Sequence, residues 1–228
     1  MLRVTVQAAL ELILTLILGF IGLVSLVGTL DEYRSGKAFN QAMDSYAAGE
    51  RAEVFDHLDR AITAKDDYWA PKEALGKLYI DQGTDERNPK KFAEARQLFS
   101  ELRRAQEAAG EQPSQPVVIG EAVAELEAVR ARNPGIEELR RAVTEARVAL
   151  DKALDAHPDS GDLHVNLATL ALMANDVPRA KQHIQKVDQV GNISIDALPF
   201  LYNLKGLVAL DEGNFQPVSY THLTLPTN

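Results

Sequence analysis

The sequence contains no cysteine, which excludes disulfides, thiolate metal sites and a cysteine nucleophile. Aromatic residues make up only 6% of the chain, and Ala and Leu far outnumber Val and Ile through its middle, a balance that favours helices packed on helices over a sandwich or barrel. A basic surplus is missing as well. The 24 Lys and Arg stand against 33 Asp and Glu, a formal charge of -9, so the clustered cations that hold phosphates are absent and no nucleic-acid partner is expected. There is no G-x-S-x-G turn, no glycine-rich phosphate loop and no H-E-x-x-H pair. The chain is therefore expected not to be an enzyme, with no catalytic residue, cofactor site or metal site.

What is present begins with an apolar run. From Ala8 to Leu30 the only charge is Glu11. About 23 helical residues reach roughly 35 Å, enough to cross a hydrocarbon core of about 30 Å. Glu11 lies near the start of the run, where its carboxylate can reach the interface or take up a proton. A cleaved signal peptide would have an apolar region of about 7 to 15 residues and a small-x-small site, which "SLVG" supplies poorly. Residues 1–30 are expected to be an uncleaved single-pass anchor, with a bacterial inner membrane as its setting. Arg3 on one side and Arg34 and Lys37 on the other leave the orientation open.

After the anchor the chain repeats itself. "EALGKLYIDQG" (Glu73 to Gly83) followed by "FAEARQLFSEL" (Phe92 to Leu102) places Leu-Gly-x-x-Tyr, then Gly, then Ala-x-x-x-Phe in order, with "TDERNPK" (84–90) inserted between the two halves. "EARVALDKALDAHP" gives Ala146, Leu150, Ala153 and Pro158 at the matching spacing, and the next unit continues with Leu167, Ala168, Asn175, Ala180 and Ile184. Ala42, Gly49, Leu58 and Ala61 form a degenerate unit upstream, with Val54 where a small residue belongs. Downstream, Tyr202, Gly206, Gly213 and Phe215 supply a first helix without its second. This pattern resembles the tetratricopeptide repeat, a helical hairpin of about 34 residues. The resemblance covers roughly residues 35–215 and implies an α-solenoid of antiparallel hairpins there; together with the N-terminal transmembrane helix read from the apolar run, the chain is expected to be all-α.

The expected layout is an anchor at 1–30, two hairpins over 31–109, a linker and irregular hairpin over 110–158, a hairpin plus half repeat over 159–216, and a foreign tail at 217–228. The weakest part is 110–144. Continuing the register places Asn133 and Pro134 where a large and a small residue should pack, so a non-standard hairpin is expected there. His57 and His183 fall on second helices and are expected at the surface. "DAHPDSGD" (Asp155 to Asp162) lacks the alternating ligands of a calcium loop and reads as a turn and helix cap.

The resemblance also implies a function. Members of the family hold peptides or partner helices in a concave groove lined by first helices. Carried onto this chain, the groove residues are Glu73, Lys77, Asp81, Asn166, Thr169, Met173 and Asn203. Their mixed chemistry does not form a cationic clamp for a carboxylate terminus. The implied protein is a membrane-anchored scaffold that binds another protein or peptide. The alternative is the regulatory or substrate-binding front part of a longer enzyme, or of a secretion or envelope assembly component. Finally, "VSYTHLTLPT" (Val218 to Thr227) resembles a translated transposase mosaic end and adapter from a sequencing library. On that reading the natural sequence stops near residue 216, inside its last repeat.

Overall fold

A computed structural model describes residues 27–211, and every structural statement below concerns those residues. The apolar run lies outside them except for residues 27–30, and the adapter-like tail lies wholly outside them. Among the described residues no helix is long and apolar enough to cross a membrane. The fold is all-α, as the composition implies. The helices are α1 (27–48), α2 (Arg51–Ala64), α3 (Trp69–Glu86), α4 (Pro89–Ala108), α5 (Gln115–Arg130), α6 (Ile136–Ala156), α7 (Gly161–Met173), α8 (Val177–Val190) and α9 (Leu198–Asp211), the last preceded by a single 3-10 turn at Ile195–Ala197. The chain divides into two compact units, Met1–Leu75 and Gly76–Asn228.

In the first unit, α1 and α2 form a hairpin turned by Gly49 at φ 79°, a left-handed conformation that glycine adopts without steric cost. Ala42, Val54, Leu58 and Ala61 are its buried residues, and the Ser35 hydroxyl donates to the Ala61 carbonyl at 2.7 Å. Burying Val54 shows that this hairpin accommodates a branched residue where a small one is usual.

In the second unit helices that follow one another in sequence pack on one another, from α4 through α9. The organising contact is a ring against bare backbone. Phe99 of α4 is completely buried, and a Cβ added at Gly76 of α3 or at Gly120 of α5 would lie 2.5 or 2.3 Å from its ring. Three helices are thereby pinned around one phenyl group.

Gly120 corrects the expected register. The small residue of the third hairpin stands in Ile119-Gly120, not at Asn133 and Pro134, because α5 and α6 run to 16 and 21 residues and displace the following matches. Asn133, at φ 50°, and Pro134 form the turn between them. The insertion 84–90 likewise makes no loop. Gly83 stays helical against the Phe92 ring, α3 continues to Glu86, and the turn moves to Arg87 at φ 50°. Asn88 then caps α4 by accepting from the Lys90 N–H, with Pro89 at the first helical position.

The "DAHPDSGD" segment is the cap it was expected to be. The Ser160 hydroxyl accepts from the Leu163 N–H at 3.2 Å and donates to the Gln115 side chain at 2.6 Å, so it closes the start of α7 and ties it to the start of α5. Ser160→Ala is expected to cost ~1–2 kcal/mol in urea unfolding, the range for a lost N-cap, because the 2% exposed site leaves water no access to replace either bond.

Candidate functional site: the outward faces of α7 and α9

The α7 helix is apolar on two sides. Leu163, Leu167 and Leu170 join a core with α5 and α6, whereas Val165, Ala168 and Ala171 join a second core with α8 and α9. Helical spacing leaves a third face holding Asp162, Asn166, Thr169 and Met173. Three of these are expected groove residues. Asn166 and Thr169 are half-buried and Met173 is 36% exposed. The Asn166 amide donates to the Asp162 carbonyl at 2.9 Å, and the Thr169 hydroxyl donates to the Val165 carbonyl at 3.0 Å. One donor of each side chain is thus satisfied within the helix.

The α9 helix stands on the second core through Leu201, Leu204 and Val208. Its Lys205 ammonium reaches Asp188 of α8 at 2.7 Å. Away from that support it exposes Phe200, Leu207 and Leu210, at 64%, 45% and 59%. Spaced by seven and then three residues, they form one strip, and the exposed Asn203 falls within it. Apart from Asn203 and Lys205 the helix is largely apolar, and the strip leaves a hydrophobic surface in water.

The other expected groove residues lie on α3. Glu73 is half-buried and belongs to the first unit, while Lys77 and Asp81 are exposed in the second. The structure therefore groups Asn166, Thr169 and Met173 on α7, places Asn203 on α9, and leaves α3 a separate, charged face. A cleft of about 940 Å³ also runs over α5 between α4 and α6, floored by Val118, Ala122, Ala142 and Ala146. Its walls are crossed by internal ion pairs, Arg96 to Glu125 at 2.7 Å and Arg103 to Glu121 at 2.9 Å, which knit α4 to α5.

Comparison with protein families matches residues 140–191 to the tetratricopeptide repeat, the stretch that runs from the body of α6 to the end of α8. Over that stretch the chain is similar to a tetratricopeptide repeat. Among solved structures it is similar to a tetratricopeptide repeat protein from Parabacteroides merdae ATCC 43184, at 19% identity and a TM-score of 0.54. The likeness covers 78% of this chain and 58% of that one, so this chain matches little more than half of its relative's length. No curated protein matches.

The large exposed apolar residues of α9 that the sequence did not single out are Phe200, Leu207 and Leu210. Their signal was available. "LPFLYNLKGLVAL" has no polar face, and once one side of such a helix packs on its neighbours, the rest must remain exposed or find a partner. His183 also differs from expectation: it is half-buried, with its ring against His164 of α7.

Proposed function

We propose that this protein is a membrane-anchored scaffold that holds a partner protein against the outward faces of α7 and α9. The observation that carries the proposal is the exposed strip Phe200, Leu207 and Leu210 on α9, a helix that shares an apolar core with α7. Large side chains there supply apolar area, and Asn203 and Asn166 supply orientation. The partner that fits is an amphipathic segment presenting an apolar stripe. The uncharged part of the run from Ala8 to Leu30 supports the anchoring half of the proposal. Tethering would raise the local concentration of repeat and partner at one surface, so a modest affinity suffices for high occupancy.

The full chain, solubilised from membranes and cross-linked to its neighbours, tests the reading. Phe200→Ala and Leu207→Ala are each expected to weaken partner capture about tenfold, in the range of an interface anchor of ~1–2 kcal/mol. Stability should change by no more than ~0.5 kcal/mol, because both side chains are exposed. Equal capture by both variants would remove the site, and recovery of only lipids or small molecules would remove the scaffold. Extraction of the intact chain by alkaline carbonate would remove the anchor.

A further inference from the structure

His164 of α7 and His183 of α8 meet with their Nδ1 atoms 3.0 Å apart and ring centres 5.3 Å apart. His164 is 5% exposed, and the Pro158 carbonyl accepts a hydrogen bond from its ring. A hydrogen bond between the two Nδ1 atoms needs one of them protonated as donor and the other bare as acceptor. One proton fits between the two nitrogens. A second would set two N–H groups head to head across 3.0 Å in a partly buried seam.

The charges around the pair come from two helices. Lys186 of α8 opposes charge on His164, and Arg179 of α8 opposes it on His183. Asp151 of α6 favours a charged His183, yet its carboxylate already faces Arg147 at 3.4 Å and Arg179 at 3.3 Å. Burial first, and for His183 then the His164 ring and Arg179, hold both imidazoles below their ordinary value of 6.5. A histidine whose folded value is lowered stabilises the fold when neutral. Its contribution is complete above about pH 6.5 and is lost as the pH falls through the lowered folded values.

The location of the pair gives that loss a direction. On one side α7 is held to α5 and α6 by Leu163, Leu167 and Leu170, apolar contacts that do not titrate. On the other, the α7–α8 seam carries both the histidine pair and the cluster that supports α9, in which Ala168, Ala180 and Ile184 meet Leu201 and Leu204. We infer that the His164–His183 pair is an acid-released latch: its protonation frees α8 from α7 and loosens α9, while α4 to α7 stay packed. Discharge of a partner from α9 at low pH would be the consequence, and that step alone rests on the binding face proposed above.

Hydrogen exchange of the full chain at pH 7.5 and pH 5.5, corrected for intrinsic rates, tests the latch without any partner. Protection of α8 and α9 is expected to fall at least tenfold more than that of α5 and α6. His183→Gln and His164→Gln are expected to abolish this difference between the two blocks. Uniform loss across both blocks, unchanged protection at pH 5.5, or an undiminished acid response in the variants would overturn the inference. Should the variants fail to fold, the segment-by-segment comparison in the unaltered chain still decides. A latch that opens without altering partner capture would count against the binding face and leave the latch standing.

Discussion

Phe99→Ala is expected to lower the unfolding free energy by ~3–5 kcal/mol, the range for emptying a fully buried phenylalanine site. The ring fills the space left by two missing side chains, at Gly76 and Gly120, and so belongs to the interfaces of α4 with both α3 and α5. Removing it leaves a void bordered by backbone, which cannot collapse without moving whole helices. The complementary change has an informative sign. Alanine is favoured over glycine in a helix interior by about 0.5–1 kcal/mol, so Gly120→Ala would stabilise an unconstrained α5. Here the new Cβ would lie 2.3 Å from the ring, and overpacking of this kind costs ~1–3 kcal/mol. Urea unfolding should therefore show Gly120→Ala to be destabilising, with part of the loss recovered in the double variant Gly120→Ala, Phe99→Leu. A stabilising Gly120→Ala would mean that the ring does not occupy this site.

Gly161→Ala is expected to have the next largest effect, about 2 kcal/mol or more, with a local signature. Gly161 opens α7 beneath the segment that leaves α8, and its N–H donates to the Asn192 carbonyl at 2.7 Å. A Cβ there would stand 2.4 Å from the same oxygen and 3.0 Å from its carbon. The obstacle is backbone, not a side chain that can swing away. Moving it also strains the bond from the Ser194 N–H to the Asp162 carboxylate at 2.8 Å, the second tie between this segment and α7. Those two ties fix where α9 begins, so the variant should lose exchange protection over residues 192–201 before it loses protection in α5 or α6. Wild-type stability with an unchanged exchange pattern would refute the account.

The places where sequence and structure part company share a cause. The hairpin of α7 and α8 was legible because it keeps the usual lengths: Leu167, Ala168, Ala180 and Ile184 fall at the expected spacing, and all are buried. The α5–α6 hairpin was legible as a hairpin but not in its packing register, since extra turns in both helices preserve the packing of Gly120 while breaking the count that would have located it. The segment 84–90 illustrates a related point. Thr84, Asp85 and Glu86 extend a helix that is already running, and the length of an insertion does not say whether it is spent on a loop or on another turn. Of the expected groove residues, Asn166, Thr169 and Met173 share one face of α7 because three- and four-residue spacing fixes direction around a helix.

By itself, then, the sequence determined the helices, the pairing of neighbours into hairpins and the character of each helix face, because these follow from local spacing and from the turn chemistry of Gly49, Asn88 and Ser160. Only the tertiary structure decided which small residue meets which large one, that His164 and His183 meet ring to ring across a seam, and that α9 keeps an apolar strip in water. Those outcomes depend on how far one helix slides along another, a displacement set by the summed packing of many side chains and written in no single stretch of the chain.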